Sequence, residues 1–319
     1  MSESPLAVNA VGLTKKYGHL VAVNELSMAV AEGEVYGVLG PNGAGKTTFL
    51  RMLFGLIRPD SGTLEILGRT WQADGSRALD GVAGFIESPK FYPYLTGRRN
   101  LELLAGLDGA GAASRIGDAI DLVDLTGRDG DKVGGYSFGM RQRLGVAASL
   151  LREPRLLVLD EPANGLDPAG IRDMRALVKR LAASGLTVLL SSHNMDEVEE
   201  ICDNVTIMRT GDVVYHGTID RLREQAPQQA HRIKTSDDTA ALVLGQAHPK
   251  LQIVARDGAL HARADQAVID GYVARLVTAG IAVRGLALDE APLEALFFML
   301  TETSPQSVPS AYESTGAVA

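Results

Sequence analysis

The chain has 319 residues, a formal net charge of −8 and a sequence pI of about 5.3; 45% of its residues are hydrophobic and 22% are charged. This composition is typical of a globular chain with one large domain or two ordinary ones, and the acidic balance argues against a protein that clamps nucleic acid. Residues 1–10 lack the pattern of a signal peptide, and no apolar run approaches the roughly 20 residues that cross a bilayer. We therefore expect a soluble or peripheral protein whose membrane role would depend on a partner. The single cysteine, Cys202, excludes an internal disulfide, and we interpret it as a small buried residue on a helix.

The hydrophobic pattern predicts alternating strands and helices along the first two thirds of the chain. Two apolar-rich runs, 6–16 and 20–30, flank Gly18 and His19 and indicate an antiparallel pair of strands. Further strands are predicted at 35–39, 64–67, 82–86, 156–159 and 187–190, and helices at 48–57, 137–151, 171–183 and 195–202, with glycine-broken helical segments between 101 and 130. Strands that alternate with helices indicate an α/β sheet.

A glycine-rich segment joins the predicted strand 35–39 to the predicted helix 48–57. Its sequence is Gly40-Pro41-Asn42-Gly43-Ala44-Gly45-Lys46-Thr47-Thr48, which fits the phosphate-binding pattern G-x-x-x-x-G-K-[ST]. Glycines allow successive backbone N–H groups to face a phosphate, and the start of a helix favours negative charge. The pattern predicts that Lys46 reaches the β- and γ-phosphates and that the Thr47 hydroxyl holds Mg²⁺. The flanking strand and helix disfavour the alternative, an ordinary glycine-rich turn.

Two acids, Asp160 and Glu161, follow the apolar run 156–159. A carboxylate at the carboxyl end of a parallel strand lies at the edge where such sheets bind ligands. Asp160 is then placed to hold Mg²⁺, and Glu161 to orient and polarise an attacking water. Taken alone, the same pair fits a surface turn equally well, but the phosphate-binding segment upstream favours the site.

Several segments resemble those of the ATP-binding subunits of ATP-binding-cassette (ABC) transporters. The segment Tyr136-Ser137-Phe138-Gly139-Met140-Arg141-Gln142-Arg143 resembles the signature motif of that family, and Glu161-Pro162-Ala163-Asn164-Gly165-Leu166-Asp167-Pro168 resembles its catalytic-glutamate and D-loop region. Ser191-Ser192-His193 is similar to the switch-histidine loop, and Tyr17 to the aromatic residue that stacks on adenine. The resemblance implies an α/β fold of the P-loop NTPase class over residues 6–224, with an antiparallel β subdomain and a helical subdomain.

The resemblance also implies how the site is completed. ATP and Mg²⁺ would be the cofactors, and His193 would contact the γ-phosphate. Ser137 is a good helix cap whose helix start can face a phosphate, and Gly139 allows close approach of the backbone. In this family the signature helix serves the phosphate loop of the opposite subunit, so two copies would close two ATP sites head to tail. Without the resemblance, the same residues fit a plain amphipathic helix.

Two motifs depart from the family pattern. The signature is usually Leu-Ser-Gly-Gly-Gln, whereas this chain has Tyr-Ser-Phe-Gly-Met at 136–140. The family's Q-loop offers a glutamine that touches Mg²⁺ and the water, whereas this chain has Glu87 in the matching run 84–89. We expect Glu87 to be a catalytic residue and a Mg²⁺ ligand that adds negative charge beside the γ-phosphate.

Three runs, 86–89, 91–96 and 293–298, resemble those of bacterial exporters for drugs and antibiotic peptides. The resemblance implies an ATPase at the cytoplasmic face of the membrane that powers a separate permease, with no nucleic acid as partner. The aromatic cluster Phe91–Leu95 either packs internally or lines the groove where a short permease helix docks. A soluble ATP-gated switch of the same family is the alternative function. A small-molecule kinase would leave the signature segment and His193 unexplained.

Past residue 224 the composition changes, and a linker is predicted at 224–230. The following segment predicts strand, helix, strand, strand, helix and strand, which is the element order of a ferredoxin-like domain. We assign residues 230–302 to a small α+β accessory domain that ends in a helix at 292–300. Residues 303–319, rich in Ser, Pro and Ala, are predicted to be disordered. The accessory domain is either a structural or dimer-stabilising appendage, or a regulator of the ATP cycle that contacts the permease.

Overall fold

The computed structural model describes residues 5–108, 111–228, 230–288 and 291–302. The chain divides into two compact units, one ending at Ile219 and the other beginning at Asp220. The predicted domain limits, 6–224 and 230–302, stay a prediction, and the predicted disordered segment 303–319 lies outside the described residues. Within the described part of the chain, no helix combines the length and apolar character that crossing a bilayer requires.

The first unit contains ten strands and seven α-helices among its described residues. The strands are β1 (Leu6–Tyr17), β2 (Leu20–Ala31), β3 (Val35–Leu39), β4 (Ser61–Ile66), β5 (Arg69–Thr70), β6 (Val82–Phe85), β7 (Leu156–Asp160), β8 (Thr187–Ser192), β9 (Asn204–Arg209) and β10 (Asp212–Thr218). The helices are α1 (Lys46–Leu53), α2 (Trp71–Asp74), α3 (Gly97–Ala105), α4 (Ile116–Leu122), α5 (Phe138–Leu150), α6 (Pro168–Ala183) and α7 (Met195–Ile201). A further helix, α8 (Ile219–Gln225), contains the boundary between the units.

A four-stranded antiparallel sheet, in the order β2-β1-β4-β5, forms the β subdomain. β1 and β2 turn back on each other at Gly18, whose φ is 58°, so the predicted antiparallel pair is confirmed. Val8, Ala10 and Leu13 of β1 are almost fully buried and belong to the main hydrophobic core.

The second sheet has six strands in the order β10-β9-β3-β8-β7-β6, and all neighbours are parallel except β9 and β10. β3, β7 and β8 are buried along their whole length, which explains their continuous apolar runs. In the strand register Leu39 pairs with Ser192, and Asp160 pairs with Ser191. The carboxyl ends of three central strands therefore lie side by side, and the predicted α/β sheet is confirmed.

Two helices begin earlier than predicted, because the residues that precede them set the start of each helix. α1 begins at Lys46, two residues before the predicted start, because Gly45 precedes it in the left-handed conformation. α6 begins at Pro168 rather than 171, because the Asp167 side chain accepts a hydrogen bond from Gly170 N at 3.0 Å. Cys202 is buried as expected but follows α7 as its cap instead of lying within the helix.

The hairpin β9–β10 had no sequence prediction. Its turn passes through Thr210 and Gly211, whose φ values are 46° and 91°. The hairpin places one strand at the edge of the six-stranded sheet and its partner beside β3, the strand that leads into the phosphate-binding segment.

The second unit has its own sheet and core. Its elements are β11 (Ala230–Thr235), α9 (Asp238–Gln246), β12 (Gln252–Arg256), β13 (Ala259–Arg263), α10 (Gln266–Thr278), β14 (Val283–Leu288) and α11 (Pro292–Glu302). The sheet order is β12-β13-β11-β14 and every pair is antiparallel, so the described elements follow the order that the sequence predicts. One face carries Ile233, Leu260 and Ala262 into a core with Ile269 and Tyr272.

Candidate functional site

The phosphate-binding segment curls between β3 and α1, and glycines make the curl possible. Gly43 and Gly45 have φ values of 82° and 106°, which side-chain-bearing residues rarely adopt. A Cβ atom at Gly45 would lie 2.3 Å from the Ala22 carbonyl oxygen. Lys46 folds back over the segment, where its Nζ donates to Gly40 O at 2.6 Å and to Pro41 O at 3.2 Å.

Lys46, Glu161 and His193 form a chain of charged and polar contacts. Lys46 Nζ lies 3.1 Å from Glu161 Oε1, and Glu161 Oε2 lies 2.8 Å from His193 Nδ1. The side chains of Lys46 and Glu161 are 5% and 18% exposed, whereas that of His193 is 44% exposed. Glu161 has a φ of 47°, a strained conformation for a residue with a side chain and one that clusters at functional sites. Three residues predicted from separate motifs thus meet at one edge of the sheet.

Asp160 lies beside the start of α1. Its Oδ2 accepts a hydrogen bond from Thr47 Oγ1 at 3.1 Å, and its Oδ1 accepts one from Ser191 Oγ at 2.5 Å. Asp160 is 4% exposed, and a buried carboxylate requires such partners. A hydroxyl and a carboxylate side by side are hard oxygen donors of the kind that Mg²⁺ prefers, together with phosphate oxygens and water.

The donor set fits a magnesium ion shared with a phosphate rather than a metal site made by protein alone. No group of three or more His, Cys, Asp and Glu side chains in the described ranges is arranged to hold a metal. Glu87 Oε1 accepts from Arg51 Nη2 at 2.9 Å, and its side chain is 67% exposed. The hydrogen bond of Glu87 is therefore with Arg51 rather than with Thr47 or Asp160.

A pocket of about 350 Å³ opens beside the phosphate-binding segment. Tyr17, 46% exposed, lies on its wall with Glu161 and Thr210, and its floor is formed by residues 42–48. The lining therefore combines an aromatic side chain with the phosphate-binding segment, the two features that suit a nucleotide. A larger pocket, of about 630 Å³, is lined by Met52, Trp71 and others. It contains no residue of the phosphate-binding segment and no carboxylate, so its chemistry does not suit a nucleotide with Mg²⁺.

The signature segment lies at a different pocket. Ser137 caps α5 by accepting a hydrogen bond from Met140 N at 3.2 Å. Ser137 and Gly139 line a pocket of about 410 Å³ with Leu166 and Asp167 of the D-loop region. This pocket and the phosphate pocket share no lining residue. The structure therefore brings the signature residues to the D-loop and not to the phosphate-binding segment of the same chain.

The aromatic cluster after the Q-loop position is partly on the surface. Tyr92 and Tyr94 are 54% and 65% exposed, and their ring centroids are 5.8 Å apart. Phe91 lines a groove of about 310 Å³ together with Phe85 and Leu104.

Sequence reasoning did not assign separate roles to Ser191 and Asn194. Ser191 Oγ contacts both acids, because it donates to Asp160 and accepts a hydrogen bond from Glu161 N at 2.9 Å. Asn194 caps α7 and accepts from Asp196 N at 2.8 Å. The sequence signal that could have identified them is the polar run 191–194, which follows the predicted apolar strand 187–190.

Comparisons with known proteins identify the family of the chain. A family model described as ABC transporter matches residues 23–164. The bacitracin transport ATP-binding protein BcrA of Bacillus licheniformis is 40% identical over 242 residues, covering 76% of this chain and 79% of that protein. The lantibiotic transport ATP-binding protein SrtF of Streptococcus pyogenes is 37% identical over 202 residues, covering 63% of this chain and 86% of that protein. An uncharacterized ABC transporter ATP-binding protein of Bacillus subtilis, YdbJ, is 45% identical over 63% of this chain and 66% of its own length.

Solved structures show the same fold. A structure described as the ATP-binding subunit of an ABC transporter has a TM-score of 0.61 and 30% identity, and it covers 69% of this chain and 92% of that chain. A dimeric ATP-binding cassette in a post-hydrolysis state with ADP and phosphate has a TM-score of 0.60 and 24% identity, covering 66% of this chain and 98% of that chain; it supports the fold alone. The chain therefore belongs to the family of ABC transporter ATP-binding proteins and is an ATPase of that family.

Proposed function

We propose that this chain is the ATP-hydrolysing subunit of an exporter, that it acts with a separate membrane permease, and that the cargo is an antibiotic or a peptide. The support is the similarity to proteins named for bacitracin and lantibiotic transport. The permease would hold the chain at the cytoplasmic face of the membrane, where ATP is available.

The phosphate-binding segment would hold the β- and γ-phosphates through the Lys46 ammonium and the backbone N–H groups of residues 42–48. Lys46 now contacts Glu161, so an incoming γ-phosphate would share or take over this cation. Thr47 and Asp160 would hold Mg²⁺, which neutralises developing charge on the phosphate oxygens when it is bound. Glu87 is the less direct candidate ligand, because reaching the ion requires it to leave Arg51.

Glu161 would orient the attacking water and accept its proton as the water oxygen bonds to the γ-phosphorus and the bond between that phosphorus and the bridging oxygen of the departing ADP breaks. His193, 2.8 Å from Glu161 Oε2, would fix the carboxylate and contact the γ-phosphate. Tyr17 would stack on adenine at the outer wall of the pocket. Release of Lys46 from Glu161 by the γ-phosphate would also free one carboxylate oxygen for the water, so that ATP binding itself prepares the base.

The separation of the phosphate pocket from the signature pocket is the observation that carries the part of this proposal in which two copies act together. One chain presents each surface once, and the two share no lining residue. A head-to-tail pair of copies would place Ser137 and Gly139 of each copy against the ATP held by the other, with two-fold symmetry. Closure on ATP and reopening after hydrolysis would then move the permease. The groove at Phe91 is the surface of this unit that we assign to a short helix of the permease.

The test is capture of tagged Glu161→Gln with ATP from solubilised membranes of its own cell. The variant should bind ATP, lose about 10²- to 10⁴-fold in turnover and accumulate as a dimer. It should then retain a protein with several membrane spans. Lys46→Ala, which should not bind ATP, is the matched control and should not form the dimer.

Capture of soluble partners alone, with the ATP dimer intact, would favour the soluble switch over the exporter. Turnover of Glu161→Gln at the parent rate would remove Glu161 from the role of base.

A further inference from the structure

Ser191 stands between the two acids of the site. It is the fifth residue of β8, it is fully buried, and the strand register pairs it with Asp160 on β7. Its Oγ donates to Asp160 Oδ1 at 2.5 Å and accepts from Glu161 N at 2.9 Å. A hydroxyl has one proton to donate, so the donor of Ser191 is fully used by the Asp160 carboxylate.

The two hydrogen bonds act on different properties of the site. The first, with that from Thr47 to Oδ2, fixes both oxygens of the Asp160 carboxylate and therefore its plane. The second satisfies the amide of Glu161, whose φ of 47° needs support from its surroundings. The buried Ser191 hydroxyl thus orients the Asp160 carboxylate and also holds the backbone of Glu161 in place.

We infer that Ser191 is a positioning residue that couples the magnesium-binding carboxylate of Asp160 to the water-activating carboxylate of Glu161. The inference rests on the proposed roles of these two acids. Groups that orient the ligands of a metal through hydrogen bonds contribute to metal affinity as well as to turnover. Ser191 should therefore affect Mg²⁺ dependence and hydrolysis together, while ATP binding without Mg²⁺ depends on the phosphate-binding segment alone.

The same strand offers a matched control. Thr187, at the other end of β8, is 1% exposed, and its Oγ1 accepts from Gly33 N at 2.9 Å. Each hydroxyl lies on β8 and accepts a hydrogen bond from a backbone N–H outside the strand, so loss of either one removes one buried acceptor. Thr187→Val and Ser191→Ala should consequently lower the thermal midpoint in a similar way, whereas only Ser191→Ala removes a contact with the acids.

The experiment measures binding of a fluorescent ATP analogue across a Mg²⁺ titration and in EDTA, with kcat measured in parallel, for the full chain. For Ser191→Ala we expect the half-saturating Mg²⁺ concentration to rise about 10- to 100-fold and kcat to fall by a similar factor. Affinity in EDTA should stay within about twofold of the parent, because the phosphate-binding segment is intact. Ser191→Thr, which keeps the hydroxyl, should restore most of the Mg²⁺ dependence, and Thr187→Val should keep the parent values.

An unchanged Mg²⁺ midpoint in Ser191→Ala would overturn the inference, and so would an equal shift in Thr187→Val, which would indicate a purely structural effect. Glu161→Gln, measured beside them, separates this inference from the proposed function. If Glu161→Gln hydrolyses ATP like the parent, the roles of the acids are wrong. If Glu161→Gln is inactive while Ser191→Ala behaves like the parent, only the positioning role of Ser191 is wrong.

Discussion

The six-stranded sheet of the first unit and the four-stranded sheet of the second unit use the polar residues at their strand ends in opposite ways. At the ends of β3, β7 and β8, side chains far apart in sequence meet: Thr47 bonds Asp160 across 113 positions, and His193 contacts Glu161 across 32. At the end of β11, Thr235 bonds Asp238 only three positions away.

This difference follows from topology. Parallel neighbours bring all carboxyl ends to one edge of the sheet, so residues from separate βα connections converge there. Antiparallel neighbours alternate their ends. After β11, Asp237 caps α9 by accepting from Ala240 N at 2.9 Å, and Ser236 Oγ accepts from Ala282 N across 46 positions, a contact with the backbone rather than with another side chain. Convergence of distant polar side chains, rather than their mere presence, distinguishes the sheet that carries the candidate site from the other one.

The largest effect is expected from a substitution of Lys46, which lies at the centre of these converging side chains. Lys46→Ala removes the cation that contacts Glu161 at 3.1 Å and that would hold the phosphates. We expect kcat/KM for ATP to fall at least about 100- to 1,000-fold, the cost of removing one charge-stabilising donor from an active site. Steady-state ATPase assays and equilibrium ATP binding would measure it.

Lys179→Ala is the control for this loss. Lys179 and Glu200 form an ion pair in which both side chains are nearly half exposed, and such pairs contribute little. ATP turnover of this variant should stay within about twofold of the parent. A tenfold or smaller loss in Lys46→Ala would place the phosphates elsewhere.

Much of the first unit could be predicted from the sequence, because its local signals are strong. Continuous apolar runs give β3, β7 and β8, and the glycine-rich segment gives the turn into α1. The hairpin β9–β10 was not predicted from the sequence. Its turn residues Thr210 and Gly211 both have positive φ, which only the structure reveals. Strand β10 is only partly buried and lacks the continuous apolar character of β3 and β7.

The candidate site residues could be chosen from motif spacing, but their partners could not. The contact of Ser191 with Asp160 depends on the register between β7 and β8, which no local pattern encodes. Likewise, the pairing of Glu87 with Arg51 depends on how the segment after β6 passes α1, and no local pattern predicts it. Residue types indicate chemistry, whereas the topology of the sheet decides which groups share a proton or an ion.

An intermediate effect tests whether the second sheet is separate from catalysis. Leu260 of β13 is fully buried in the core of the second unit. Leu260→Ala should cost about 2–5 kcal/mol of unfolding free energy, since it leaves a cavity in a packed core. Hydrogen exchange followed by mass spectrometry should show faster exchange in residues 230–288, while ATP binding keeps its parent affinity.

Leu189→Ala is the matched variant in the first unit. Leu189 of β8 is also fully buried, and its strand leads directly to Ser191 and Ser192. The same cavity there should raise exchange around β3 and β8 and weaken ATP binding. If the two variants changed ATP binding equally, the distinction between a catalytic sheet and a separate one would be lost.

The smallest expected effect concerns a long-range polar pair outside the phosphate-binding segment. The hydroxyl of Tyr36 on β3 lies 2.9 Å from His216 Nδ1 on β10, across 180 positions. Burial lowers the pKa of His216 and raises the pKa of Tyr36, so burial favours the neutral imidazole and the protonated phenol, which also lies 2.8 Å from Thr206 Oγ1. Below about pH 6.5 the unfolded chain binds a proton at this histidine more readily than the folded chain does. The free energy of unfolding therefore decreases as the pH is lowered.

The pair therefore contributes fully above the unfolded pKa and loses its contribution as the pH falls through the lowered pKa of the folded state. His216→Asn, which does not titrate, should show a smaller loss of unfolding free energy than the parent between about pH 7.5 and about pH 5.5. Denaturant unfolding at both values would measure the difference. Equal losses in parent and variant would show that the acid sensitivity of this sheet arises elsewhere. A clear difference would extend the long-range polar pairing of the six-stranded sheet beyond the edge where we propose that ATP binds.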